Sequence, residues 1–488
     1  MNLKNIEKYT VKLPQKLNFI LKKIDENLHG IVFVTSLDDK LIGSISDGDI
    51  RRGMIKNQVK KIVNLKSKFI NKSPFYLKYD SDIKKILSYL ESKKNKKKYK
   101  CIPLVDSKKI IQDVSTIESL RKYPIVNLKI DNNEINNVID AMKSGWISSA
   151  GSYVRQFEEN FSKYLGGGYS ISTTSGTTAL ELALKSLKIG KGDEVILPNL
   201  SFAASINSII NVGAKPVVVD VNPTTWTIDT NKILKKITNK TKAIMPVHLY
   251  GQPSEIDEIK KISKVKKIFV IEDAAEALGA TYKNRKIGLH NDCSCFSFYA
   301  NKTITTGEGG MVVFKNKKHF ITANKIKNHG MSKNKFYFHE IIGSNYRMTN
   351  IQAAIGISQL KKINSLIFKR KKIFEYYDKI LRKHNFINLL PKNKWSKNSY
   401  WLYTILIQDL GIKKREKLID NLLKKGIETR PGFYPFNMMK IYKKYCKGNF
   451  KFSENIALNS ISLPSSGINN SDQEFIANTL IKEFKKLN

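Results

Sequence analysis

The sequence predicts an α/β protein: a doubly wound mixed sheet, preceded by a smaller α+β unit and followed by a small C-terminal α+β region. Three observations carry this. From about residue 124 to residue 365, strand-like apolar runs alternate with helix-period segments, as in a sheet covered on both faces. One of these runs, Val270-Ile271-Glu272-Asp273, delivers an aspartate at a strand's carboxyl end, where ligands sit in open α/β sheets. The first 120 or so residues show instead a β-β-α pattern that occurs twice.

In chain order, Gly30-Ile31-Val32-Phe33-Val34 reads as a strand, and a turn at Asp38-Asp39-Lys40 leads to a second, Leu41-Ile42-Gly43-Ser44-Ile45. Ser46-Asp47-Gly48-Asp49-Ile50-Arg51-Arg52 then enters a helix. A degraded copy of the strand pair follows in Tyr99-Lys100-Cys101-Ile102-Pro103-Leu104-Val105-Asp106 and Lys108-Lys109-Ile110-Ile111. The dense run Lys93-Lys94-Asn95-Lys96-Lys97-Lys98 lies between predicted elements and reads as a solvated loop. Arg121-Lys122-Tyr123-Pro124 is the expected linker, so the expected domains are 1–122, 123–365 and 366–488.

In the second domain, Ala179, Leu180, Ala183, Leu184 and Leu187 recur at helical spacing, so a helix is expected to begin near Thr177. Ser175-Gly176-Thr177 then sits at a helix N-terminus. Free N–H groups there suit a phosphate, and an ordinary N-cap fits the same residues equally well. Further strands are expected in Glu194-Val195-Ile196-Leu197, Pro216-Val217-Val218-Val219-Asp220 and Lys242-Ala243-Ile244-Met245. Gly343-Ser344-Asn345-Tyr346-Arg347-Met348-Thr349-Asn350 precedes an amphipathic helix over about 351–360, and from about Ser365 the chain becomes helical and then mixed.

The most informative stretch is Phe296-Ser297-Phe298-Tyr299-Ala300-Asn301-Lys302-Thr303-Ile304-Thr305-Thr306-Gly307-Glu308-Gly309-Gly310, which begins downstream of Asp273. Most lysines of this chain read as solvated charges. Lys302 stands apart, in an aromatic, hydroxyl-rich segment that ends in glycines. A lysine that forms a Schiff base must be partly desolvated so that its amine is neutral near pH 7. Pyridoxal 5'-phosphate enzymes need such a lysine, a carboxylate for the pyridine nitrogen and a phosphate cradle.

Composition bounds the other classes. The chain has 488 residues, 41% hydrophobic and 26% charged, with no apolar run near the roughly 18 residues of a membrane span. Met1-Asn2-Leu3-Lys4-Asn5 lacks a signal-peptide core, so a cytoplasmic protein is expected. Cys101, Cys293, Cys295 and Cys446 are too few and scattered for a disulfide framework or zinc site, and Cys293 and Cys295 read as neighbours on a strand. No metal and no membrane partner are expected. The formal charge of +43 raises the question of nucleic acid, but lysine is spread through every segment, so no nucleic-acid partner is expected.

From Pro124 to Asn488 the motifs resemble the DegT/DnrJ/EryC1/StrS sugar aminotransferases, with four separated segments in the family's order. Trp146-Ile147-Ser148-Ser149-Ala150-Gly151, Met245-Pro246-Val247-His248-Leu249-Tyr250-Gly251-Gln252, the Lys302 segment, and Asn345 to Gly356 are most similar to the perosamine-forming branch. The resemblance implies a fold-type I aminotransferase with pyridoxal 5'-phosphate as cofactor. It makes Lys302 the Schiff-base lysine and proton carrier, and Asp273 the partner of the pyridine nitrogen. It places Glu276 by the cofactor's phenolic oxygen, and Ser175, Gly176, Thr177 and Ser297 at the phosphate. Phe202 matches the ring that covers the cofactor, a core phenylalanine being the alternative. Asn345 and Arg347 correspond to a segment that reaches the neighbouring subunit's cofactor, which implies a homodimer or larger assembly. His329, His339 and Tyr434 fall in segments that face substrate.

The reaction implied is a ping-pong transfer from L-glutamate to C4 of a 4-keto-6-deoxy sugar nucleotide, with GDP-4-keto-6-deoxy-D-mannose the expected substrate. The front unit resembles a tandem CBS-domain pair, in which Ser46, Asp49 and Arg51 would form a nucleotide edge. A degenerate pair kept for packing fits the same residues. Rival readings are a UDP- or dTDP-linked keto sugar, a dehydratase relative with histidine in place of Lys302, and a cofactor-binding transcription regulator, which would need a winged helix at the front.

Overall fold

The computed structural model describes residues 6–91, 99–120 and 122–487. The expected lysine-rich loop at 93–98, the extreme N-terminus (residues 1–5) and Arg121 of the expected linker lie outside the described residues. The chain forms two compact units, one of residues 1–123 with 420–428, the other of 124–419 with 429–488.

The second unit is built on a seven-stranded sheet. In spatial order its strands are Lys215–Val219, Glu194–Pro198, Thr241–Ile244, Phe269–Asp273, Cys293–Ser297, Gly310–Phe314 and Tyr169–Thr173. The first five are mutually parallel, and Gly310–Phe314 runs antiparallel to both of its neighbours. The carboxyl ends of Tyr169–Thr173, Phe269–Asp273 and Cys293–Ser297 therefore meet the start of Gly310–Phe314 on one rim. Strands such as Glu194–Pro198 are buried along their whole length, which is why they read as continuous apolar runs rather than alternating ones.

Helices cover both faces. On one side, Ala179, Leu180, Ala183, Leu184, Ile206 and Ile209 pack against Val195, Cys293, Cys295 and Val312. On the other, Phe157, Phe161, Ala353 and Ile357 pack against Phe296, Met311 and Val313. Cys293 and Cys295 are two residues apart on one strand and so share a face. Both are free and buried, and burial pushes both thiols up. The helix expected over 351–360 spans Asn350–Lys361, capped by Thr349 and Gln352. The long helix after it, Ile363–Leu381, leads into a four-stranded antiparallel sheet ordered Ile387–Asn388, Tyr403–Ile407, Ser460–Leu463 and Arg430–Pro431.

The first unit contains one arrangement twice. Ile31–Thr35 pairs antiparallel with Leu41–Ser46, and Cys101–Val105 pairs in the same way with Ile111–Thr116, each with a register shift near its turn. Thr10–Lys12 and Leu77–Lys78 add a parallel strand to the two hairpins respectively. The second copy departs from expectation at one point: the chain turns at residues 107 and 108, and the strand begins only at Ile111. Lys109 is left-handed (φ 62°), and Asp106 Oδ1 accepts the N–H groups of Lys108 and Ile110 at 2.9 Å each, so local polar bonds outcompete the strand. Among the described residues no helix is long and apolar enough to cross a membrane.

Candidate active site

The strand Cys293–Ser297 turns back as Gly310–Phe314, with Ser297 opposite Gly310, so residues 298–309 form a loop on the sheet's rim. Its threonines and glycines hold it closed. Thr305 Oγ1 donates to the Phe298 carbonyl at 3.0 Å, the Thr306 N–H donates to the same oxygen at 3.0 Å, and the Phe298 N–H donates to Gly309 O at 2.9 Å. A Cβ on Gly309 would lie 2.3 Å from Thr306 Oγ1, so no side chain fits there.

Lys302 projects from this loop into a cleft of about 420 Å³ lined by Ser175, Gly176, Thr177, Phe202, Asp273, Glu276, Ser297 and others, including Trp401 and Phe433. Its Nζ lies 3.8 Å from the centre of the Trp401 ring. Burial lowers the amine's pKa, with the charges of Glu276 and Asp273 pulling the other way. That is the balance a nucleophilic lysine requires, since only the neutral amine attacks a carbonyl.

Asp273 ends its strand buried, and its carboxylate takes the Ser205 hydroxyl on Oδ2 at 2.6 Å and the Ala275 N–H on Oδ1 at 3.2 Å. It caps no helix among the described residues. Ser205 comes from the helix Ala203–Asn211, and its Oγ lies 2.8 Å from Ser201 Oγ on the cleft wall. Glu276, also buried, accepts the Tyr250 N–H at 2.6 Å. Its carboxyl is raised to about 7, first by burial and further by the Asp273 charge, against lowering by Lys302 and the Tyr250 N–H.

Behind the strand end, His248 Nδ1 accepts the Ser254 N–H at 3.0 Å while Nε2 lies 3.0 Å from Glu272. The imidazole is therefore the tautomer that carries its hydrogen on Nε2 and donates it to the carboxylate. The His248 N–H donates to the Asp273 carbonyl at 3.1 Å, which anchors the aspartate's backbone.

Opposite, Ser175 caps the helix Gly176–Ser186: its Oγ accepts the Thr178 N–H at 3.2 Å in a reciprocal box with Thr178. Gly176 sits against Ser297, where an added Cβ would be 2.8 Å from Ser297 Cβ. Helix N–H groups and two hydroxyls thus converge beside the lysine in a cradle that only glycine leaves open, a fit for a phosphate group. Together with the buried carboxylate and the amine, the donor set fits pyridoxal phosphate.

Phe202 is 59% exposed and lines the cleft, so it is not a core residue. Asn345 and Arg347 do not line the cleft of their own chain. Arg347 Nε donates to Asn345 Oδ1 at 3.0 Å and Nη1 to Asn328 Oδ1 at 2.8 Å. His329 and His339 belong to the same exposed segment, with His339 Nδ1 2.8 Å from the His329 carbonyl, and they too lie outside the cleft lining. The Tyr434 hydroxyl accepts from the buried Arg415 at 2.9 Å, and it is Phe433 that lines the cleft.

In the first unit, Ser46 and Asp49 cap the helix Asp47–Ile55 reciprocally, Asp49 pairs with Arg52 at 2.6 Å, and Arg51 is exposed. Among the described residues no cluster of His, Cys, Asp or Glu is suited to a metal ion.

Sequence reasoning missed Ser205, Trp401 and Arg370. The hydroxyls of Ser201 and Ser205, four apart where a helix begins, were the one legible signal. Trp401 and Arg370 reach the lysine loop from remote segments, and nothing in their local sequence marks them.

The sequence profile of the DegT/DnrJ/EryC1/StrS aminotransferase family matches residues 128–480. A GDP-perosamine synthase of Caulobacter vibrioides is 39% identical over 350 residues, covering 72% of this chain and 94% of its own length. One from Escherichia coli O157:H7 is 42% identical over 350 residues, covering 71% and 94%. Among solved structures, PseC of Helicobacter pylori, an aminotransferase involved in pseudoaminic acid biosynthesis, superposes with a TM-score of 0.71 at 29% identity, covering 75% of this chain and 99% of its own. A candidate sugar aminotransferase of Streptococcus pneumoniae, solved in its PLP form, also gives 0.71 at 30% identity, covering 74% and 98%.

Proposed function

Because the chain belongs to the DegT/DnrJ/EryC1/StrS aminotransferase family, we propose that it moves an amino group from L-glutamate to C4 of GDP-4-keto-6-deoxy-D-mannose, yielding GDP-perosamine for surface polysaccharide. The chain is a pyridoxal phosphate-dependent sugar aminotransferase. Support for the particular nucleotide sugar comes from three GDP-perosamine synthases at 36–42% identity. The observation that carries the chemistry is Lys302, a desolvated amine in one cleft with Asp273.

Bound pyridoxal phosphate supplies an aldehyde that captures amines and a cationic ring that takes up electrons. Lys302 supplies the attaching amine and, once free, carries the proton between carbons. Asp273, an acceptor held by Ser205 and Ala275, keeps the ring nitrogen protonated. Ser175, Gly176, Thr177 and Ser297 bind the phosphate, Phe202 covers the ring, and Glu276 faces the phenolic oxygen. Asn345 and Arg347 serve the cleft of a second copy, in a homodimer. The exposed apolar side chains of Phe336, Tyr337 and Ile342 near that segment (88%, 88% and 98%) support a face that another copy covers. His329, His339 and Tyr434 act on the substrate side.

The front unit is a CBS-type pair, and Ser46, Asp49 and Arg51 form a nucleotide edge in its first repeat. The doubled hairpin of residues 31–46 and 101–116 supports this reading.

The test is turnover with L-glutamate and a panel of GDP-, UDP- and dTDP-linked 4-keto sugars, with borohydride trapping and peptide mapping. Preferred use of the GDP sugar and a label on Lys302 are expected. Preference for a UDP or dTDP sugar would replace the substrate, and a label elsewhere would overturn the role of Lys302.

A further inference from the structure

Arg370, on the helix Ile363–Leu381, is buried, with 6% of its surface exposed. Among the described residues no carboxylate pairs with it. Its guanidinium donates instead to two backbone carbonyls: Nη1 to Trp401 O at 3.0 Å and Nη2 to Lys302 O at 3.2 Å. A buried cation answered only by carbonyls is costly to hold, and an apolar side chain of similar length would serve packing better. Such a group is retained for what it holds in place.

Trp401 completes the arrangement. Its indole N–H donates to Asn301 O at 2.9 Å, so two consecutive carbonyls of the lysine loop, 301 and 302, are each taken by one member of the pair. The same ring lies face-on to Lys302, 3.8 Å from Nζ to its centre. The ring stacks near-parallel to Tyr250 at 6.3 Å and 18°. It also stacks on Phe433 at 6.4 Å and 24°. Tyr250 in turn receives the Phe433 N–H on its hydroxyl at 3.1 Å.

We propose that Arg370 and Trp401 are positioning residues that clamp Lys302, with the guanidinium setting the loop's backbone and the indole face seating the ε-amine. The proposal rests on the reading of Lys302 as the cofactor-bearing lysine. In an amino transfer this amine is released and must return to the same carbon in each cycle. A flexible four-carbon stem loses rate to every misplaced conformer. The electron-rich indole face holds the amine at the cleft when it is cationic, and does not compete as a hydrogen-bond acceptor when it is neutral. Arginine suits the other end because its rigid planar fork spans two acceptors, whereas an ammonium is a single point on a flexible stem.

The experiment separates attachment from binding in the full-length protein. Pyridoxamine phosphate has no aldehyde, so its affinity reports the cleft and cradle without Lys302. The rate of visible-absorbance growth after adding pyridoxal phosphate, with borohydride labelling, reports attachment at Lys302. Arg370→Lys is expected to slow attachment roughly tenfold or more while pyridoxamine phosphate affinity stays within about threefold. Trp401→Leu, which also removes part of the cleft wall, is expected to slow attachment by a larger factor than it weakens that affinity. Trp401→Phe, which keeps a ring face without the N–H, should fall between them and the parent protein. Unchanged attachment in both Arg370→Lys and Trp401→Leu would overturn the clamp. So would an equal loss in pyridoxamine phosphate affinity, which would mean that the cleft as a whole had collapsed. No sugar or amino donor enters the assay, so failure of the substrate assignment leaves the result standing. Failure of the parent protein to attach the cofactor at Lys302 would instead sink the underlying reading.

Discussion

Ser205 donates its hydroxyl hydrogen to Asp273 Oδ2 at 2.6 Å, with both side chains buried. The serine hydroxyl is the donor and the carboxylate oxygen the acceptor. Ser205 has one hydroxyl hydrogen, so in the Ser201–Ser205 contact of 2.8 Å it is Ser201 that donates. A directed chain of hydroxyls therefore runs from the cleft wall to the carboxylate.

Removing that donor strands a buried oxygen and frees the carboxylate to rotate. Ser205→Ala is expected to lower kcat by about tenfold, a loss near the roughly 1–3 kcal/mol of an unsatisfied buried group. Ser205→Thr, which keeps the hydroxyl, should retain more activity than the alanine variant. Asp273→Asn should cost orders of magnitude more while cofactor stays bound, because an amide cannot hold the ring nitrogen protonated. Steady-state kinetics on the three proteins checks the ranking, and equal rates for Ser205→Ala and the parent would remove the serine from the mechanism.

Glu276 predicts a pH dependence of stability. Its carboxyl is raised to about 7 in the fold from an ordinary 4.5, chiefly by burial. Between those values the folded state holds a proton that the unfolded chain has lost, so the group's contribution falls as pH rises through that window. Glu276→Gln keeps an acceptor for the Tyr250 N–H and cannot ionise. In the cofactor-free protein its melting temperature should gain on the parent's from pH 5 to pH 8 and level off above. A constant difference across that range would mean that Glu276 is not held protonated.

Gly176 lies against Ser297, with an added Cβ 2.8 Å from Ser297 Cβ and 3.1 Å from its Oγ. Gly176→Ala should widen the cradle and weaken cofactor affinity roughly tenfold, the equivalent of about 1.4 kcal/mol. Ser297→Gly relieves the clash but also removes a phosphate donor, so the double variant should lose less affinity than the two single losses combined. Equilibrium titration followed by absorbance measures this, and an additive double mutant would show that the contact is not the cause.

In the first unit, Asp49 accepts the Ser46 N–H at 3.0 Å and the Ser46 hydroxyl at 2.6 Å as part of a helix cap. If the nucleotide edge is used, adenine or guanine nucleotides raise the protein's melting temperature by mass action. Asp49→Asn keeps an acceptor for the cap but loses the charge, and should abolish the shift with little change in the melting temperature without ligand. Calorimetry that shows no heat with any of these nucleotides would leave the unit without a nucleotide site.

Much of this was legible in the chain itself. Apolar period and strand-end chemistry are local properties, so the alternation of strands and helices was written in the order of residues. So were the helix starting beside Ser175, the aspartate closing its strand, and a lysine set among threonines and glycines. Those threonines and glycines close the loop on itself within a dozen residues, which is why its character showed without a structure. The start of the repeat's second strand was not legible, because it is set by the Asp106 carboxylate taking the N–H groups of Lys108 and Ile110, a bond that the order of residues does not show.

What surrounds Lys302 was decided only by the tertiary structure. Arg370, Trp401 and Phe433 come from segments far along the chain, and reach the lysine because crossovers bring the strand ends to one rim and the C-terminal sheet folds back over it. Burial and neighbouring charge, which set the Lys302 amine and the Glu276 carboxyl, depend on that convergence and leave no mark in residue order. For Phe202 two readings were open, a ring over the cofactor and a core residue, and only the fold, which leaves it exposed at the cleft, removes the second.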